Sequence, residues 1–135
     1  MPEIIRRCRF SPYRKGMGPV FQLELWDTGI HDDMGKWIVG YRLTQIGGNS
    51  FYCHEKRFVV FEGEDFHCSP LHAIDSDACV ESIMGFLTLR IGDTDREYFA
   101  NYNEVQREFR DTHAEALNCE VQRRFCDEEG RVRNA

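Results

Sequence analysis

No apolar run in this chain approaches the ~18 consecutive residues that a membrane span needs. The opening segment MPEIIRRCRF places Arg6, Arg7 and Arg9 where a secretory leader requires an unbroken apolar stretch. The chain therefore reads as cytoplasmic with no membrane partner, and its cysteines as reduced thiols rather than a disulfide framework. There is no C-x2-C pair, no phosphate-cradling G-x-x-x-x-G-K-[ST] and no dinucleotide-type G-x-G-x-x-G. Those absences remove the commonest signs of a structural zinc, a nucleotide or a dinucleotide cofactor, and no cofactor is expected. Repeats and low-complexity segments are missing too, which excludes solenoids and collagen-like chains.

What is present fits one globular domain spanning residues 1–135. Ten Phe, five Tyr and two Trp point to an aromatic-rich core. Charge is unevenly placed. Residues 1–20 hold Arg6, Arg7, Arg9, Arg14 and Lys15 against Glu3, a surplus of four; with a net charge of −6 overall, the remainder carries −10. So acidic a body disfavours whole-surface contact with nucleic acid, whose affinity comes mainly from cations meeting phosphates.

Taken in order, 4–10 is a short strand, and SPYRKGMGP, with two Pro and two Gly, is a loop. Phe21, Leu23 and Leu25 alternate with polar neighbours as in a half-buried strand. Residues 27–35 (DTGIHDDMG) form a turn region, Trp37 to Thr44 a third strand and Phe51 to Phe61 a fourth. Phe58-Val59-Val60-Phe61 is apolar on both faces, as suits a central strand.

An acidic loop, Glu62–Asp75, then leads to a helix capped by Asp75, Ser76 and Asp77, with Val80, Ile83, Met84 and Leu87 as its stripe. Gly92 stands where that helix would end. Thr94 with Glu97 and Asn103 with Gln106 have capping-box spacing, predicting two further helices, the last with a stripe of Val105, Phe109, Thr112 and Ala116. Cys119, Val121 and Phe125 then suggest a final strand over 119–125, and the tail is expected to fray from about residue 127. The expected fold is α+β: an antiparallel sheet of about five strands packed by three helices, in the order β-β-β-β-α-α-α-β. Its core is expected to include Phe58, Val60, Phe61, Ile83, Leu87, Phe109 and Ala116.

Polar chemistry is densest between Phe58 and Ala78. Cys68, His72 and Cys79, with Cys53, His54 and His67 upstream, are soft ligands of the kind zinc takes, but at irregular spacing. If the chain is an enzyme, Cys68 (or Ser69) with His72 and Asp75 (or Asp77) would be nucleophile, base and orienting group. No glycine-rich elbow accompanies them. Against both stands the plainer account: an isolated Cys packs as a small hydrophobe, Ser69-Pro70 makes a turn, and Asp75-Ser76-Asp77 caps a helix.

Glu62, Glu64, Asp65, His67, Ser69, His72 and Asp75, together with Arg14 and Lys15, are the candidate binding residues. Acids on a rigid loop make a surface complementary to a basic partner. A non-enzymatic acidic binding protein of adaptor or inhibitor type, acting on another protein, is thus the expected function. A metal or Cys/His enzyme site in 62–79 is the alternative. Nucleic-acid binding through Arg6, Arg7, Arg9, Arg14 and Lys15, beside the aromatic Tyr13, is the third reading; on an edge strand the same charges would serve to block pairing with another chain.

Overall fold

A strand sends successive side chains to opposite faces, so the alternation of Phe21, Leu23 and Leu25 with Gln22, Glu24 and Trp26 gives one apolar side. Val39, Tyr41 and Leu43 do the same against Gly40, Arg42 and Thr44. The computed structural model describes residues 2–11, 19–47, 58–109, 114–127 and 131–132. It places these runs in two long strands, β2 (Val20–His31) and β3 (Trp37–Gly47), flanked by β1 (Arg6–Phe10) and β4 (Phe58–Cys68). The four are antiparallel in the order β1-β2-β3-β4. Registers set Leu23 opposite Leu43, Leu25 opposite Tyr41, and Leu43 opposite Phe61, so the apolar residues share one face. Two helices follow, α1 (Asp77–Glu108) and α2 (Ala114–Phe125). Val80, Ile83, Leu87 and Ile91 of α1 join that sheet face in a single core. No helix among the described residues is long and apolar enough to cross a membrane.

The α+β class stands, with four strands and two helices among the described residues rather than five and three. Neither Gly92 nor the capping-box spacings interrupt α1, which runs on for 32 residues, about 48 Å at 1.5 Å per residue. The reason is continuity of the stripe: Ile91, Thr94, Tyr98 and Val105 are all buried in phase with Leu87. Packing along that line outweighs the roughly 1 kcal/mol that a mid-helix glycine costs. Thr94 does not cap; its hydroxyl donates to the Arg90 carbonyl one turn back, at 2.8 Å.

The expected strand over 119–125 is helical. Leu117, Val121 and Phe125 are buried at four-residue intervals, and Phe125 meets Tyr98 of α1 edge-on with centroids 5.5 Å apart. Phe109 closes α1 by donating its backbone N–H to the Val105 carbonyl, and the chain restarts in a new phase. Hence Phe109, 40% exposed, and Ala116 are not core, whereas Val60, Phe61, Ile83 and Leu87 are. The side chain of Phe58 lies outside the described residues. In the tail, the Asp127 amide donates to the Arg131 carbonyl and its carboxylate accepts from the Arg131 amide, and Val132 is buried.

The opposite face of the sheet carries a row of alternating charge. Arg7, Glu24, Arg42 and Glu62 are direct cross-strand neighbours, one from each strand. Arg7 meets Glu24 at 3.0 Å, Arg42 lies 3.9 Å from Glu24 and 3.0 Å from Glu62, and Arg131 ends the row 3.1 Å from Glu62. Opposite charges directly across strands support the register that the apolar face demands. Beside the row, Trp26 lies over Gly40, its cross-strand partner, and its indole N–H donates to Glu64 at 3.2 Å. A β-carbon at Gly40 would fall 2.0 Å from the Trp26 Nε1 atom, so glycine there makes room for the indole.

Candidate functional site

The end of the sheet where β2 turns into β3 is built from three irregular pieces. The first is a bulge in β2. Asp27 pairs with Val39 and His31 with Trp37, so Thr28, Gly29 and Ile30 together face Ile38. Local bonds hold it: Asp27 accepts the Gly29 amide at 2.8 Å, and the Thr28 hydroxyl accepts the Ile30 amide at 3.2 Å while donating to the Ile38 carbonyl at 2.7 Å. Gly29 has φ +74°, a value glycine adopts without steric cost. Ile30 is consequently pushed into solvent, 54% exposed.

The second piece is the tight turn 32–35. The Asp32 carboxylate accepts the amides of Met34 and Lys36, both at 2.8 Å, and the Nδ1 of His67 on β4 lies 2.7 Å from its other oxygen. The His67 hydrogen bond is the chief reason the Asp32 carboxyl titrates below its ordinary value. The contact also fastens the hairpin tip to β4, and Met34 projects from the tip.

The third piece is the 69–76 connection. Ser69 accepts the Leu71 amide on its hydroxyl and the His72 amide on its carbonyl. Leu71 is left 87% exposed. Ser76 caps α1 through the Cys79 amide. Arg6 reaches across from β1 to the Asp75 carbonyl at 2.6 Å and to the Asp77 carboxylate at 2.9 Å. Between these pieces lies a cleft of about 280 Å³ lined by Ile5, Asp27, Trp37, Ala73, Ile74 and Asp75.

Farther along, β4 bulges as well: Glu64 and Asp65 together face Gly40. As successive strand residues the two acids point to opposite faces. Glu64 serves Trp26, while Asp65 accepts the Tyr41 hydroxyl at 2.6 Å. Arg90 of α1 donates to the Tyr41 oxygen, lies 3.4 Å from Asp65 and stacks over Phe61 with its guanidinium 4.6 Å from the ring centroid. Burial, then the Asp65 bond, raises the Tyr41 phenol well above its usual pKa. The trio joins sheet to helix, and its buried phenol stays protonated at physiological pH.

The expected site residues are therefore dispersed. Glu62, Glu64, Asp65 and His67 belong to a strand rather than a loop, and the stretch read as acidic loop is half sheet. Ser69, His72 and Asp75 lie on the connection itself. Cys68 and Cys79 are buried neighbours in the core, and burial is the first cause raising the Cys79 thiol, followed by its hydrogen bond with Cys68. His72 is exposed. Among the described residues no three of His, Cys, Asp and Glu converge as metal ligands; of Cys68, His72 and Cys79, two pack inward while the third faces water. As a catalytic set, Cys68, His72 and Asp75 are likewise split between core and surface. Cys53, His54, Arg14 and Lys15 lie outside the described residues.

Sequence reasoning missed Asp27, Ile30, Asp32, Met34 and Trp37. The available signal was Ile30 and Met34, large apolar residues set in an otherwise polar turn. Comparison with protein-family models, with curated proteins and with solved structures returns no match.

Proposed function

We propose that the chain is a small non-enzymatic binding domain, of adaptor or inhibitor type, which holds another protein against the bulged end of its sheet. One observation carries this reading: Ile30, Met34 and Leu71 stand 54%, 79% and 87% exposed at the same end, amid carboxylates and on pieces tied down by Asp27, Asp32, Ser69 and Ser76. Single exposed apolar residues are ordinary, but several together on a fixed polar rim mark contact surfaces. Asp27, Asp33 and Asp75 among them favour a partner with basic and apolar groups.

The third reading, nucleic acid on the basic segment, is weakened by the commitments of two of its five cations. Arg6 is paired with Asp77 and Arg7 with Glu24.

The test is affinity capture from a lysate of the source cells, comparing the native chain with an Ile30→Ser, Met34→Ser, Leu71→Ser triple variant. All three positions are solvent-exposed, so the variant should melt at the native temperature. A protein retained by the native chain and lost by the variant supports the surface. Retention by both places the contact elsewhere, and a bound nucleic acid would replace the reading by the third one.

A further inference from the structure

We propose that the cleft between β2 and the 69–76 connection receives a single arginine side chain of the partner. The proposal rests on the reading of this end as a contact surface and names the group that would anchor it.

Size comes first. At about 280 Å³ the cleft lies just under the ~300–1,000 Å³ typical of small-molecule sites. It suits one long side chain better than a cofactor. Its walls are mixed: Trp37 supplies an aromatic ring, Ile5, Ala73 and Ile74 supply apolar surface, and Asp27 and Asp75 supply carboxylates.

Those carboxylates retain capacity. One Asp27 oxygen accepts the Gly29 amide, and among the described residues no hydrogen bond or ion pair engages its other oxygen or the Asp75 carboxylate. Arg6 hydrogen-bonds Asp75 only at the backbone carbonyl; its charge is met chiefly by Asp77 and more weakly by the Asp75 carboxylate. A planar, weakly hydrated guanidinium can lie on an aromatic face while its edge donates to carboxylates, which a compact ammonium does less well. Its methylene stem would cover the apolar walls.

The site is also held in shape. The bulge bonds fix Asp27, the His31 ring packs on Trp37 with centroids 3.7 Å apart, and Arg6 ties the connection to β1. An arginine in an aromatic-walled pocket, at the end of the sheet that also exposes Ile30, Met34 and Leu71, has the anatomy of an interface hot spot.

The experiment uses the full chain and the peptide N-acetyl-Gly-Arg-Gly-amide, with the citrulline peptide as an uncharged isostere, and follows the Trp37 indole N–H by NMR. The arginine peptide should shift that resonance saturably at millimolar concentration, and the citrulline peptide should not. A double variant, Asp27→Asn with Asp75→Asn, keeps an acceptor for the Gly29 amide and should melt normally, yet bind at least tenfold more weakly. If that variant fails to fold, Asp75→Asn alone carries the test. The proposal falls if no saturable shift occurs, if citrulline matches arginine, or if the Asn variant binds undiminished. The broader reading fails separately: peptide binding without any partner lost by the Ile30, Met34, Leu71 variant would leave the cleft and remove the surface.

Discussion

Gly40→Ala is the sharpest probe of the sheet's charged face. A β-carbon at residue 40 would lie 2.0 Å from Nε1, 2.1 Å from Cε2 and 2.6 Å from Cδ1 of Trp26, so the indole must move. Trp26 is 5% exposed, and its N–H is bonded to Glu64. Moving it gives up packing, weakens that bond and disturbs Arg42, whose guanidinium lies 5.9 Å from the ring centroid. Overpacking of this kind costs about 1–3 kcal/mol. Without the clash the same change would stabilise, since glycine inside a strand is worse than alanine by roughly 0.5–1 kcal/mol. The two effects have opposite signs, so the direction of the change reports on the indole.

Thermal melting by circular dichroism should show the midpoint falling, at roughly 2–8 °C per kcal/mol for domains bracketing this size. Tryptophan emission should shift to the red as Trp26 meets water. In a Trp26→Ala background Gly40→Ala should be neutral or stabilising, giving a coupling energy of about 1–3 kcal/mol in the double-mutant cycle. A Gly40→Ala protein that melts at or above the native temperature, or a penalty that survives removal of Trp26, would refute the argument.

Phe61→Ala removes a buried ring under Arg90 and should cost about 3–5 kcal/mol, read from urea unfolding. Arg42→Met leaves Glu24 and Glu62 without their shared cation; because both acids keep other cations, Arg7 and Arg131, the loss should reach only about 2–3 kcal/mol, below the full cost of breaking a buried pair. Glu120 is held down at about 2, first by its hydrogen bond with Arg123 and also by Arg124. A carboxylate with a lowered folded pKa stabilises the fold above its unfolded pKa and loses that contribution as pH falls through the folded value. Glu120→Gln should therefore melt below the native chain at pH 6, and the gap should close between about pH 4.3 and about pH 2.

The sheet's inner half was legible because its burial is one-sided: Phe21, Leu23 and Leu25 show the period of two directly. Local punctuation misleads where it conflicts with continuity of phase. Gly92 and Thr94 look like a helix end, yet Leu87, Ile91, Thr94 and Tyr98 keep helical phase straight through them, and burial of that line decides the outcome. Over 119–125 the conflict runs the other way. Leu117, Val121 and Phe125 are a helical stripe of their own, visible only once the phase is allowed to restart after Phe109. In β4, Glu62 and Glu64 read as loop because their partners, Arg42 and Trp26, are distant in sequence and come from other strands. The candidate site resisted sequence reasoning for the same reason. Asp27 and Asp75 are 48 positions apart, and they meet only because a bulge in β2 and an arginine from β1 bring the strand end and the helix connection to the two sides of one cleft. No spacing rule connects two residues joined by tertiary structure alone, whereas the exposed Ile30 and Met34 marked that end of the sheet in the sequence, since neither folding nor solubility calls for large apolar side chains in a polar turn.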